Sequence, residues 1–374
     1  MFFSKISKLS KNKTILIAPL DWGLGHATRC IPVIRQLLSQ GFQVIIAADG
    51  KVQKLLQHEF PGLTIIHLSG YKILYSRNQY WLPLKIILQV PSILIRIYKE
   101  HQWLKKIIKQ YSISAVISDN RFGLYHSSVP SVYITHQLLI KSGNSFTEKI
   151  IQKIQYWFIK KYTQCWVPDF EGPVNIAGEL SHPAIVPPNV RYIGAVSRFE
   201  KKPGIEKLYD LMVIISGPEP QRSIFEKLLF EQLRHYKGNV LLVRGLPEIV
   251  QTDMKNNSLY CNQNKNIVIK NHLDAAALNI AMQQSELVIC RSGYTTIMDL
   301  LKLQQKAILV PTPGQTEQEY LAKYLLQQNI FYAVLQQSFL LHDAVENANN
   351  LSSSIPFLNM ENYKTCINQF AQSL

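Results

Sequence analysis

Acidic residues are scarce in this 374-residue chain: 25 Asp and Glu stand against 40 Lys and Arg, a net charge of +15. Such a surplus points to an anionic partner: nucleic acid, a membrane surface or a phosphorylated substrate. Cysteine is sparse and dispersed. Cys30, Cys165, Cys261, Cys290 and Cys366 contain no Cys-x-x-Cys pair, which argues against structural zinc and a disulfide framework and suits a reducing cytosol. Uninterrupted apolar runs fall short of the roughly 18 residues a spanning helix needs. The basic stretch from Met1 to Lys13 lacks the sustained apolar segment of a signal peptide. No Asp-x-Asp pair offers a metal site, so no bound metal is expected. No nucleic-acid-binding motif occurs either, and the basic residues are interspersed among apolar ones.

What is present reads as a globular α/β chain. Hydrophobic residues make up 47% and charged residues 17%, enough for two cores, and the length suits two domains. Thr14-Ile15-Leu16-Ile17-Ala18-Pro19-Leu20 is a strand. It runs into the glycine-rich turn Asp21-Trp22-Gly23-Leu24-Gly25-His26-Ala27-Thr28-Arg29, then a helix from about Ile31 to Gln40 and a second strand over Gln43–Ala48. The dinucleotide fingerprint would need a third glycine. What the turn offers is backbone close to a ligand, with the imidazole of His26 projecting from it. That ring could take a proton from a hydroxyl near neutral pH, or simply cap the helix or orient a phosphate.

Further strands are predicted at Ile113–Asn120, Ser131–Gln137 and Cys165–Asp169, the last closing the first domain. Asp119 ends a strand that points toward His26, where it could act as base or raise the imidazole's basicity; capping a helix is the plain alternative. Between Tyr71 and Lys109, aromatic residues (Tyr71, Tyr75, Tyr80, Trp81, Tyr98, Trp103) interleave with Lys72, Arg77, Lys85, Arg96 and Lys99 around apolar helices. This suits a lipid headgroup layer, and equally a pair of core helices with basic outer faces.

In the second half, Glu286–Cys290 is a short buried strand, and Arg291-Ser292-Gly293-Tyr294-Thr295-Thr296 turns it into a helix. Small residues, capping hydroxyls and the helix dipole attract phosphate there. Asp299, one turn in, could hold sugar or ribose hydroxyls. The next strand ends in Val310-Pro311-Thr312-Pro313-Gly314, and Gln315–Glu319 opens another helix. The proline-rich segment from His182 to Gly194 reads as the interdomain connection.

The pair Arg291-Ser292-Gly293…Asp299 and Val310-Pro311…Gln318-Glu319 resembles the C-terminal signature of the glycosyltransferases built like the MurG-type N-acetylglucosaminyltransferase that makes lipid II. Gly23-Leu24-Gly25-His26 resembles the N-terminal loop of glycosyltransferases with a GT-B fold. The resemblance covers most of the chain and is strongest over residues 14–32 and 286–322. The family usually carries Glu where Asp299 stands and a second Gln where Glu319 stands.

The resemblance implies a fold of two doubly wound Rossmann-like domains facing across a cleft: 1–194 for the acceptor, with a C-terminal helix at 357–374 crossing back, and 195–356 for the nucleotide-sugar donor. It implies transfer of a hexose or N-acetylhexosamine from a UDP-sugar to a lipid-linked or glycan acceptor, inverting and metal-independent, with no cofactor. It implies His26 or Asp119 as base and Gly23, Gly25, His136 and Gln137 on the acceptor side. On the donor side it implies Arg198 at the diphosphate, with Gly217, Leu273, Ser292, Gly293, Thr295, Asp299, Gln318 and Glu319. Arg291 is expected to be structural. The implied location is cytoplasmic, peripheral on the inner face of the membrane. A GT-B-fold nucleotide-sugar 2-epimerase and, behind it, a basic non-enzymatic nucleic-acid-binding protein are the rival readings.

Overall fold

The computed structural model describes residues 13–71, 82–246, 266–352 and 355–374, with backbone alone over 82–90. Lys72, Tyr75, Arg77, Tyr80 and Trp81 lie outside the described residues, as does Cys261. Two compact units emerge: residues 1–196 together with 359–374, and residues 197–358.

The first unit is built on a seven-stranded parallel sheet in the order β3-β2-β1-β4-β5-β6-β7. The strands are β1 (Thr14–Pro19), β2 (Gln43–Ala48), β3 (Thr64–His67), β4 (Ile113–Asp119), β5 (Ser131–Ile134), β6 (Gln164–Val167) and β7 (Val190–Tyr192). The central strands are near-continuous apolar runs because helices cover both faces. Successive side chains of β1 alternate between those faces. Ile15 and Ile17 pack in one core with Ile31 and Ile34 of helix α1 (Leu24–Ser39). Leu16 and Ala18 pack in the other with Leu104 and Ile107 of α3 (Leu82–Tyr111). Helices α2 (Gly50–Glu59) and α4 (Ser145–Ile159) complete the stretch before β6. The last helix, α10 (Asn362–Ser373), contributes Tyr363, Ile367 and Phe370 to the α1-side core, with Phe370 edge-on to Trp166.

Three expectations need correction. Helix α1 starts at Leu24 rather than near Ile31: Gly23 is its N-cap in extended conformation, and Gly25 and His26 already belong to the first turn. Over its described residues, the region expected to hold a helix pair forms one helix, α3, which accommodates Pro91. Finally, the first sheet does not end with β6. Three residues of the supposed linker pair with β6 as β7, anchored where Cys165 N–H donates to the Asn189 carbonyl at 2.8 Å. A three-residue strand preceded by prolines has too little periodicity to be read from sequence.

The second unit carries a six-stranded parallel sheet in the order β10-β9-β8-β11-β12-β13. Its strands are β8 (Tyr209–Ile214), β9 (Val240–Val243), β10 (Ile267–Lys270), β11 (Ser285–Cys290), β12 (Ala307–Leu309) and β13 (Tyr332–Ala333). Leu211, Val213 and Ile215 pack against Phe225, Leu229 and Leu233 of α5 (Gln221–Leu233) and against Leu341 and Ala344 of α9 (Leu341–Asn350). Helices α6 (Ala275–Gln283), α7 (Tyr294–Leu303) and α8 (Thr316–Gln327) connect the remaining strands. In each sheet the strand order reverses direction beside the first strand of the unit, between β1 and β4 and between β8 and β11. Open parallel sheets bind ligands beyond the carboxyl ends of strands at such a reversal.

Candidate active site

In the first unit the reversal point gathers five ionisable or polar side chains from three segments. His26 sits in the first turn of α1, and its Nδ1 is 3.0 Å from Asp119 Oδ1 at the end of β4. Arg29 lies one turn further along the same face. It clamps that carboxylate from two sides, Nε to Oδ2 at 2.9 Å and Nη2 to Oδ1 at 2.5 Å. Its Nη1 is 3.0 Å from His136 Nδ1 just beyond β5, and the Gln137 amide lies 3.3 Å from the other nitrogen of that ring.

Asp119 is fully buried. Burial by itself would raise its pKa, but Arg29 first and His26 second outweigh it and hold the carboxyl well below the usual carboxylate range. It is therefore a fixed anion that accepts hydrogen bonds. Arg29 Nη2 also comes within 3.1 Å of His26 Nδ1, but a lone pair on Nδ1 facing a carboxylate oxygen would be repelled. The Nδ1–H tautomer satisfies the carboxylate and leaves the lone pair on Nε2. The His26 side chain keeps 18% of its surface exposed while Asp119 keeps none, so only the imidazole is open to an incoming group. Thr28 Oγ1 donates to the Gly25 carbonyl at 3.0 Å and so tightens the first turn.

In the second unit the reversal point is lined by backbone. Gly217, directly after β8, has φ +106°, a conformation that favours glycine. Gly293 is the N-cap of α7, and a Cβ there would meet nothing within 4 Å. The hydroxyl of Thr312, buried after β12, has no hydrogen-bond partner among the described residues and lies 3.5 Å from where a Gly217 Cβ would be. A buried hydroxyl without a partner among the described residues, beside the Gly217 backbone, is a setting for an anion's oxygen.

The residues expected to touch a donor divide into two groups. Ser292 Oγ donates to the Gln318 carbonyl at 2.8 Å, Gln318 Oε1 accepts from Thr312 N–H at 2.9 Å, and Glu319 Oε1 accepts from Gly314 N–H at 2.9 Å. These three side chains shape the loop before α8. Asp299 of α7 is buried and accepts from Ser197 Oγ at 2.5 Å. Burial pushes its pKa up to about 6, against the lowering effects of the Arg198 charge and the Ser197 bond. Burial and then the same Arg198 charge lower the pKa of His272, so Arg198, Asp299 and His272 share one electrostatic neighbourhood. Leu273 precedes Asp274, which caps α6, and Thr295 occupies the first turn of α7. Arg291 is structural. Its guanidinium donates to the carbonyls of Val310, Pro311 and Gln221 and stacks on Phe225 at 4.2 Å.

Arg29, Ser197 and Thr312 are the participants missed in the sequence. The three-residue spacing of His26 and Arg29 on one helix could have marked the first. Ser197 stands 102 residues from Asp299, and nothing local announces that contact.

These features define the class. Residues 221–373 match the glycosyltransferase family 28 C-terminal domain, and residues 14–160 match glycosyl transferase family 1. With two Rossmann-like sheets of this topology, the protein is a glycosyltransferase of the GT-B fold. It resembles the MurG-type enzymes in particular. The UDP-N-acetylglucosamine–N-acetylmuramyl-(pentapeptide) pyrophosphoryl-undecaprenol N-acetylglucosamine transferase of Rickettsia bellii is 22% identical over 299 residues, covering 78% of this chain and 77% of that one. An uncharacterized glycosyltransferase of Methanopyrus kandleri is 21% identical, covering 80% and 86%. Among solved structures, MurG of Acinetobacter baumannii aligns with a TM-score of 0.54 at 16% identity over 96% of this chain and 95% of its own. The calicheamicin glycosyltransferase CalG4 gives 0.63 at 9% identity over 96% and 93%.

Proposed function

We propose that the protein transfers a hexose or N-acetylhexosamine from a UDP-sugar to a hydroxyl of a lipid-linked acceptor, with inversion and without a metal. The second unit would hold the donor and the first the acceptor. The observation that carries the reading is the His26–Asp119–Arg29 constellation at a sheet reversal. His26 Nε2 would take the acceptor hydroxyl's proton as that oxygen attacks the anomeric carbon, and Asp119 would stabilise the imidazolium that forms. Of the two roles open to Asp119, burial and the Arg29 clamp favour orienting the imidazole over acting as base. The bond from the anomeric carbon to the diphosphate breaks as the new one forms, and the nucleoside diphosphate leaves with the electron pair. Arg198 and the N-terminus of α7, beside Gly217 and Gly293, would neutralise it. His136 and Gln137 would face the acceptor, and Asp299 the donor's hydroxyls.

Two features support a lipid-linked acceptor. The named substrates of the Rickettsia relative include a pyrophosphoryl-undecaprenol. In addition, Phe146, Ile150, Ile154 and Trp157 form an exposed apolar stripe along α4, with Phe146 70% and Trp157 57% exposed. No helix among the described residues is long and apolar enough to cross a membrane, so contact would be peripheral, on the membrane's inner face.

The test is a thermal-shift panel of UDP-, GDP- and TDP-sugars on wild type and Asp299→Ala. Stabilisation by one UDP-sugar, lost in the variant, is expected. Absence of any nucleotide effect would reject the donor site. Turnover of that sugar without an acceptor would reject transfer in favour of epimerisation.

A further inference from the structure

On the first unit, away from the His26 constellation, lies a cavity of about 370 Å³ lined by His101, Lys105, Tyr125, His126, Ser127 and Lys161. Its walls come from the C-terminal part of α3, the segment between β4 and β5, and the turn after α4. These segments lead into the amino-terminal ends of β4, β5 and β6, whereas His26 and Asp119 stand at carboxyl ends.

The chemistry of the lining is one-sided. Two lysines and two histidines face the cavity, and no carboxylate does. The nearest acid along the chain, Glu100, is buried and turned elsewhere, accepting from Arg121 at 2.8 Å and from the Tyr71 hydroxyl. Lys161 is held by aromatic rings rather than by an acid. Its Nζ donates to Tyr125 Oη at 3.2 Å and sits 3.4 Å from the Trp157 ring centroid. His101 stacks on Tyr125 at 4.5 Å. His126 Nδ1 accepts from Ser128 N–H at 3.2 Å, which fixes Nε2 as the protonated nitrogen and makes this ring a donor. Burial first and the Lys105 charge second lower the pKa of His101, the direction expected where like charges converge without a counter-ion.

We infer that this cavity binds a phosphate group. Two ammonium groups, imidazole donors and the Ser127 hydroxyl match the several acceptor oxygens of a phosphate, and charge-assisted bonds of this kind are the strong ones. The volume leaves room beyond a bare phosphate for the carbon group of a phosphate ester. Whether the ester arrives free in solution or as a lipid headgroup is a separate question, which the test resolves. Trp157, at the end of the exposed α4 stripe, supports Lys161 directly, so a headgroup in the cavity would lie next to apolar surface.

The experiment follows the ring resonances of His101 and His126 by NMR in the full-length protein. Inorganic phosphate and glycerol 3-phosphate are titrated, with chloride at matched ionic strength. The same protein is sedimented with phosphatidic-acid and with phosphatidylcholine vesicles. Saturable shifts with phosphate but not chloride are expected, weakened at least about tenfold in Lys105→Gln/Lys161→Gln, since each charged bond contributes about 1.5 kcal/mol or more. Neither lysine has a carboxylate partner among the described residues, so the double variant should lose only the Lys161 contacts to Tyr125 and Trp157 and remain folded, as its melting curve would show. Because the variant leaves the second unit untouched, phosphate binding there does not confuse the readout. Vesicle binding specific to phosphatidic acid and lost in the variant identifies a lipid source. Shifts by the soluble esters without vesicle binding identify a free one. Equal responses to phosphate and chloride, or a variant indistinguishable from wild type in both arms, would overturn the inference.

Discussion

Two buried aspartates, one in each unit, respond to pH in opposite senses. Asp119 is held below the usual carboxylate range by Arg29 and His26 despite its burial. Its folded pKa is therefore lower than its unfolded one. The stability it contributes is present above about pH 4 and is lost as the pH falls below that. Asp299 is raised to about 6 by burial, so folding favours its protonated form. Its contribution is full below about pH 4 and is lost as the pH rises through about 6. Asp299→Asn should accordingly raise the melting temperature at pH 8 while leaving it nearly unchanged at pH 4, as differential scanning fluorimetry would show. If the pH 8 value does not rise, the carboxylate has a compensating partner. Asp119→Asn should cost about 3–5 kcal/mol in urea unfolding at pH 7, because it leaves the Arg29 guanidinium buried without its counter-charge. His26→Ala removes one hydrogen bond to Asp119 but leaves the Arg29–Asp119 ion pair in place. It should lower kcat by about 10²–10⁴-fold, the usual contribution of a positioned base, with the donor KM little changed.

At the scale of elements, helix N-termini would carry the donor half of the proposed site, and two glycines there serve different ends. Gly293 has an ordinary φ of −72° and open space where a Cβ would go. Gly293→Ala should cost less than about 1 kcal/mol of stability, the difference between these residues at an N-cap. Its methyl group would point into the proposed diphosphate space, so the donor KM should rise while the melting curve stays close to wild type. Gly217 has φ +106°, and Gly217→Ala should lose stability as well as donor binding. Parallel melting and kinetic measurements separate the two cases, and equal behaviour would contradict the assignment. This is also the scale at which the sequence was most legible. Buried strands such as Thr14–Pro19 and Ser285–Cys290 announce themselves as short apolar runs, and Arg291-Ser292-Gly293 marks the turn that follows. Helix α1 was harder to bound, because Gly25 and His26 in its first turn have poor helix propensity and only the surrounding core fixes them there. The Asp299–Ser197 contact and the partnerless Thr312 hydroxyl were out of reach, since they depend on loops meeting over long sequence separations.

At the scale of the molecule, the first unit is discontinuous. Its core needs α10, whose Tyr363, Ile367 and Phe370 are buried against residues of β1, α1 and β6. Each such side chain contributes roughly 1.5–3 kcal/mol on burial, and together they rival the whole stability of an ordinary domain. A chain ending at Leu358 should therefore lose the cooperative melting of the first unit while the second, continuous unit retains its own. Calorimetry would resolve this as one surviving transition, and two intact transitions would contradict it. A ribosome delivers this chain from the amino end, and domains generally fold as units during synthesis. The unit that begins first must then wait for the last twelve-residue helix, Asn362–Ser373, to leave the exit tunnel. The later-made unit can finish before it. Until that helix has been made, α1, which carries His26, stands beside an unfilled apolar groove, so a chain cut short before Asn362 would lack the support of the proposed acceptor side.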